Sequence, residues 1–274
     1  MTRRLLLVEA GFTLLSPQSW SRLSPVAGGT DRTADTTAGG APAGPAPQAP
    51  SGSPPEAAAA PPVAAAAPQA AGPPAPVRVR DPLFSLSTDD RLIALTIDDG
   101  PDPTYTPAVL KLLAEQKISA TFFLVGENAA AHPALVREIA AQGHHIANHT
   151  WTHPELRQLS DTKVGDELRR TSDFLHTTTG RAPTWFRAPG GDFTKSSLAA
   201  GAELGMRPMS WSVDPRDWSR PGTPAITSRV LEGVRPGAIV LNHDGGGDRS
   251  QTVAALRTYL PMLTGEGYRF TTPP

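Results

Sequence analysis

The sequence predicts an α/β domain: a barrel of seven parallel strands alternating with helices, preceded by a disordered Ala/Pro-rich N-terminal segment. Three observations predict it. Of the 274 residues, the 184 from residue 91 onward suffice for one domain with a substantial core, whereas 27 of the 40 positions from 41 to 80 are Ala or Pro. From residue 91, short apolar runs alternate with stretches of helical period, and strands separated by helices of that length call for parallel βαβ units. Seven strands in one domain favour closure over the alternative, an open doubly wound sheet, whose usual Gly-rich phosphate turn is absent.

Residues 92–97 alternate in a strand-like run, and 104–116 have helical spacing through Val109, Leu112 and Leu113. The second strand is 120–125, and the helix 133–142 carries Leu135, Val136 and Ile139 on its apolar face. A short strand at 145–147 precedes a helix over 161–177, read through Val164, Leu168 and Leu175. Strand 185–188, helix 196–204, strand 208–213, helix 224–234, strand 238–242, helix 252–263 and strand 268–271 complete the rhythm.

Residues 1–25 have the layout of a secretory or membrane-targeting segment, with Arg3 and Arg4 before an apolar run that is interrupted by Glu9 and too short to span a bilayer. Residues 26–85 read as a stiff, partly polyproline tether, and 86–274 as the catalytic domain. This order suits a secreted or envelope-associated monomer with no stable membrane span. Net charge is −1, with no basic footprint for nucleic acid. The chain has no cysteine, which excludes disulfides, thiolate metal sites and a cysteine nucleophile. Any metal must therefore take imidazole and oxygen ligands, and all seven histidines lie beyond residue 131.

In parallel α/β folds the C-terminal strand ends form the catalytic face. Here the first strand ends in Thr96-Ile97-Asp98-Asp99-Gly100 and the third in His149-Thr150-Trp151-Thr152-His153. The fourth ends in Arg187-Ala188-Pro189-Gly190-Gly191, the fifth in Asp214-Pro215-Arg216-Asp217-Trp218, and the sixth in Leu241-Asn242-His243-Asp244. Adjacent carboxylates on extended backbone point to opposite sides, so one can face a metal and the other a substrate. Two histidines four apart share one face of a helical turn. One carboxylate and two imidazoles leave a coordination position for water, as in catalytic zinc sites. Asp99, His149 and His153 are therefore expected to hold one divalent ion, zinc with cobalt or nickel as alternatives, and Asp98 to be the free carboxylate acting as general base.

The five clusters resemble, in order and over residues 91–271, the five motifs of the polysaccharide deacetylases, the NodB-like carbohydrate esterases of family four. The resemblance implies a distorted (β/α)7 barrel and metal-dependent removal of acetyl groups from N-acetylglucosamine polymers. It makes Asp98 the catalytic base, Asp99, His149 and His153 the metal triad, and Arg187 the partner of the base. Trp218 and Leu241 correspond to the apolar pocket for the acetyl methyl, His243 to the general acid, and Asp217 to the carboxylate that raises its basicity. Ile97 stands where the family often has Phe. Gly190 stands where many members have Tyr, so the backbone N–H for the oxyanion is kept and the ring is lost. Peptidoglycan or chitin-like oligomers are the expected substrates. O-acetyl ester hydrolysis on xylan and a catalytically silent glycan-binding barrel are the alternatives. His132, His144, His145 and His176 fall outside the motifs and are expected at the surface or behind the site. Trp151 and Trp211 suit either a sugar groove or the core, Asp214 a turn or a supporting carboxylate, and Asp244 support of its strand end.

Overall fold

The computed structural model describes residues 78–273. Residues 1–25, and the tether as far as residue 77, lie outside it. The first half runs β1 (Leu92–Asp98), α1 (Tyr105–Gln116), β2 (Thr121–Leu124), α2 (Gly126–Ala131), α3 (Pro133–Ala141), β3 (His145–Asn148) and α4 (Asp161–Thr179). The second runs β4 (Trp185–Phe186), α5 (Lys195–Glu203), β5 (Arg207–Pro208), α6 (Thr223–Gly233), β6 (Ile239–His243), α7 (Ser250–Gly265) and β7 (Arg269–Phe270). Every pairing of these strands is parallel. Their spatial order is β5-β4-β3-β2-β1-β6, with β7 on the first residues of β1. Among the described residues no helix is long and apolar enough to cross a membrane.

The barrel is distorted where β5 should meet β6. The strand expected over 208–213 is regular only at Arg207–Pro208: Met209 N–H still donates to Phe186 O (3.0 Å) on β4, but the donors after it turn elsewhere. Ser210 N–H donates to Leu83 O (2.8 Å), Val213 N–H to Ile239 O (3.0 Å), and Leu241 N–H to Val213 O (2.9 Å). Leu83 bridges Met209 and Ser85 bridges Ala238, so part of the segment read as tether fills the seam. Truncation before residue 87 should therefore cost more than truncation before residue 78. It removes three backbone hydrogen bonds to the barrel, at Leu83 N, Leu83 O and Leu86 N. At about 1 kcal/mol each and about 2–4 °C per kcal/mol for a domain this size, the shorter protein should melt roughly 10 °C lower by calorimetry.

Strand parity decides what faces the barrel interior. Ile93, Leu95 and Ile97 of β1 pack outward against α1 and α7 with Val109, Leu113, Leu256 and Leu260. The alternate residue Ala94 faces inward with Phe123, Ala147, Trp185, Met209 and Ile239. Continuing each inward series by two residues per step reaches Thr96 and Asp98, His149, Arg187, and Leu241 and His243. The same alternation that builds the core thus delivers five site residues to one mouth.

The helices close the outer layer. α4 begins at Ser160, whose hydroxyl accepts from Lys163 N–H, and ends at Gly180 with φ 73°, a left-handed stop that glycine adopts freely. α2 is an element the periodicity does not predict. It has six residues and no side-chain cap, and it is held instead by Gly126 N–H to Thr150 O (2.9 Å) and Glu127 N–H to Trp151 O (3.0 Å).

Candidate metal centre and active site

Asp98 ends β1 and Asp99 leaves it with φ 72°, a left-handed conformation that costs a non-glycine residue strain. The two carboxylates consequently do not diverge to opposite faces as extended backbone would require. Both approach His149 Nε2, at 3.7 Å from Asp98 Oδ2 and 3.4 Å from Asp99 Oδ1. His153 Nε2 lies 3.3 Å from the same Asp99 oxygen. The expected helical turn between the histidines is also absent: Thr150 and His153 have φ of 66° and 57°, and the loop folds back on itself. Four-residue spacing brings the imidazoles together by a reversal rather than by a helix face.

The donor set fits a divalent ion. One ligand atom from each of Asp99, His149 and His153 lies within 4.8 Å of the other two. Asp99 Oδ1 is buried without a hydrogen-bond partner, a costly state that a cation would relieve. His149 Nδ1 sits 2.8 Å from Arg187 O. A carbonyl can only accept, so Nδ1 donates there, and Nε2 is the ring atom turned toward Asp99. Burial pushes the Asp99 carboxyl up, but contact with His149 and the positive potential of the imidazoles around it leave it well below the usual carboxylate range. Burial, then the neighbouring His149, push the His153 pKa down.

Arg187 is fully buried inside the mouth. Its Nη1 donates to Asp98 Oδ1 (2.7 Å) and Thr96 Oγ1 (2.9 Å), Nε to Met209 O (3.1 Å), and Nη2 to Ser210 O (2.8 Å). The guanidinium also lies over the Phe123 ring, 4.1 Å from its centroid. Burial pushes its pKa down, and Asp98 opposes that.

Across the cleft, His243 Nδ1 is 2.7 Å from Asp217 Oδ1, which leaves Nε2 for the cleft. Asp217 Oδ2 accepts from His243 N–H (2.9 Å) and from Thr252 Oγ1 (2.9 Å). Burial alone would lower the His243 pKa, but the hydrogen bond and charge of Asp217, with Asp99 and Asp98 beyond, raise it to about 9. The cleft holds about 360 Å³ and is lined by Asp98, Asp99, His149, His153, Gly190, Trp211, Asp214, Trp218, Leu241 and His243. Trp218 is 53% exposed at its rim, and a Cβ built on Gly190 would meet open space. Larger hollows of 520 and 430 Å³ lie near the N-terminal ends of β2 and β3, away from the candidate triad.

All ten candidate residues meet at one mouth or directly behind it. The four other histidines lie apart. His144, for example, packs on Phe122 and accepts from Ala120 N–H, and burial lowers its pKa to about 4. Trp151 is core, covered by Arg170 and Phe174, whereas Trp211 lines the cleft. Asp214 shares that lining, and its Oδ1 also closes a turn by accepting from Arg216 N–H (2.7 Å). Sequence reasoning does not find Thr252, which joins from 35 residues away. It also understates Asp244, a buried carboxylate that burial raises to about 7 and whose Oδ2 is 2.6 Å from Thr106 Oγ1.

The polysaccharide deacetylase family model matches residues 85–209. A peptidoglycan-N-acetylglucosamine deacetylase of Bacillus cereus is 42% identical over 191 residues, covering 69% of this chain and 89% of its own. A chitooligosaccharide deacetylase of Bradyrhizobium is 44% identical over 190 residues, covering 65% and 87%. The crystal structure of the Bc1960 peptidoglycan N-acetylglucosamine deacetylase superposes with a TM-score of 0.68 at 37% identity, over 70% of this chain and 90% of that one. Likeness of this extent, in sequence and in fold, means that the chain belongs to the polysaccharide deacetylase family.

Proposed function

We propose that the protein removes N-acetyl groups from N-acetylglucosamine-containing polysaccharide, peptidoglycan or chitin-like oligomers, with release of acetate, and that it depends on one divalent ion, zinc or alternatively cobalt or nickel. One observation carries this reading. Two independently held proton-transfer groups, Asp98 on Arg187 and His243 on Asp217, flank a triad able to hold a cation in a single cleft. Asp99, His149 and His153 would hold the ion, which when bound polarises an acyl carbonyl and acidifies water.

The remaining chemistry belongs to the side chains. Asp98 Oδ1 is occupied by Arg187, which leaves Oδ2 to take the proton of the attacking water. Gly190 offers its backbone N–H to the oxyanion that develops on the acyl carbon. Leu241 and Trp218 supply apolar walls for the methyl group. As the C–N bond breaks, His243 Nε2 gives its proton to the nitrogen, which would otherwise leave as an amide anion. A cationic imidazole near neutral pH is what an amine leaving group requires, and an easier alkoxide leaving group needs it less. That favours the N-acetyl reading over xylan ester hydrolysis, and a binding barrel would need neither the acid nor the base.

Purified protein with zinc should release acetate from N-acetylglucosamine oligomers. Release only from acetylxylan would replace this reading with the esterase, and sugar binding without release from either would leave a silent barrel. His149→Ala should reduce bound zinc, measured by elemental analysis, from about one per chain to near zero, because two ligands seldom retain the ion against a chelator. Full activity in a metal-free variant would refute the centre. The leader-like residues 1–25 and the Ala/Pro-rich tether support secretion or attachment to the cell envelope. Finding the active protein in the cytoplasmic fraction with an intact N-terminus would contradict that placement.

A further inference from the structure

His149 and His153 are held by different means. His149 directly follows β3, is buried, and is fixed by its own N–H to Leu124 O (3.0 Å) and by Nδ1 to Arg187 O. His153 has a side chain 41% exposed, and its N–H reaches Thr150 Oγ1 at 3.2 Å. Its position depends on the loop between them, whose backbone is left-handed at Thr150 and at His153 itself.

One side chain outside the five motifs grips that loop. Glu167 Oε2 accepts from both Trp151 N–H (2.7 Å) and Thr152 N–H (2.8 Å), and Oε1 accepts from Thr152 Oγ1 (2.9 Å). Two successive N–H groups converging on one carboxylate oxygen form a small anion nest with charge-assisted bonds. The support behind Glu167 is rigid. α4 is tied to β3 by Asn148 Nδ2, which donates to Leu168 O (2.8 Å) and lies 3.0 Å from Ser172 Oγ, while Asn148 Oδ1 accepts from Thr150 N–H (2.8 Å). From the opposite side, Gly126 and Glu127 donate to the loop carbonyls, and Trp151 lies so close to Gly126 that a Cβ there would collide with the indole.

We propose that Glu167 is a positioning residue for the metal centre: by binding the Trp151–Thr152 backbone it holds the reversed loop so that His153 Nε2 stays beside Asp99. The inference rests on the reading that Asp99, His149 and His153 take a divalent ion. Glutamine can keep the same acceptor at Oε2 and place its NH2 against the Thr152 hydroxyl, whereas alanine removes the grip and is itself a good helix former.

The test uses the full chain and zinc alone, titrated against a chromophoric chelator, with Glu167→Ala and Glu167→Gln beside the parent. Glu167→Ala should weaken zinc binding by about tenfold or more, the usual scale for losing support behind a ligand, and Glu167→Gln by no more than about threefold. In metal-free protein the midpoint of Glu167→Gln should match the parent and that of Glu167→Ala should lie no more than about 10 °C below it, the scale for three lost hydrogen bonds, while amide exchange at Trp151 and Thr152 should quicken beyond the rest of the domain in Glu167→Ala only. Unchanged zinc affinity in Glu167→Ala would overturn the proposal. So would a metal-free midpoint that falls further than that, with exchange at Trp151 and Thr152 quickened no more than across the whole domain, since Glu167 would then serve the fold rather than the loop. If the parent takes up no zinc, the metal reading fails. Unaltered exchange at Trp151 and Thr152 would then refute the loop grip separately.

Discussion

Asp98→Asn should lower turnover by about 10³-fold, within the range assigned to a lost general base, while bound zinc stays near the parent value. Asparagine keeps an oxygen to accept from Arg187 Nη1, now at 2.7 Å from Asp98, but it cannot take a proton from water. Its Oδ2 lies 3.7 Å from His149 Nε2, and Asp99 supplies the carboxylate oxygen central to the triad. Asp98→Ala should be worse in a second way. It leaves a fully buried guanidinium without the carboxylate that pairs with it, and breaking a buried pair from one side costs about 3–5 kcal/mol. Arg187→Met added to Asp98→Ala should therefore recover much of the lost thermal midpoint and none of the activity. That dissociation of stability from turnover would separate a base from a structural ion pair. If Asp98→Asn instead lost its zinc along with its activity, the roles of the two neighbouring aspartates would have to be exchanged.

The parts of this arrangement legible in the sequence are those governed by local pattern. β1, β2 and β6 lie within about a residue of their apolar runs because these strands are buried on both faces and read as continuous hydrophobic stretches. The gathering of the candidate residues at one cleft is legible because polar groups are clustered where apolar runs stop. The tight seam at β5 was not, because its hydrogen bonds depend on Leu83 and Ile239, more than twenty residues away in either direction. Backbone reversals were equally hidden. Nothing in the residues Asp99, Thr150 and His153 announces a left-handed φ, so the two histidines come together by a loop reversal where their spacing predicts a helical face. Glu167 and Thr252 read as ordinary polar positions on helices, and only the tertiary fold shows that one accepts from the backbone of the 149–153 loop and the other donates to Asp217.

Asp217→Asn should move the alkaline limb of the kcat/KM profile from near pH 9 toward the ordinary imidazole range near 6.5, with turnover reduced by at least 10²-fold. The direction follows from what holds His243: its pKa is raised to about 9 although burial alone would depress it, and Asp217 supplies the main compensation through the 2.7 Å hydrogen bond and its charge. An asparagine there can present its NH2 to Nδ1, which then accepts and stays unprotonated, so the ring is held neutral and its Nε2–H is a far weaker acid than that of the imidazolium. A divalent ion in the triad repels the imidazolium, so the limb of the zinc-loaded enzyme should lie on the acid side of the value found by NMR titration of the metal-free protein. Stability must follow the same linkage. Because the folded pKa is raised above the unfolded value, the stabilisation from protonated His243 is fully present below about pH 6.5 and is lost as pH rises through about 9. The difference in thermal midpoint between parent and Asp217→Asn, measured without metal, should accordingly narrow between those two pH values. A gap that stays constant across that window would mean that Asp217 supports the strand end through its bonds to His243 N–H and Thr252 alone, and that the proton for the leaving nitrogen comes from another group.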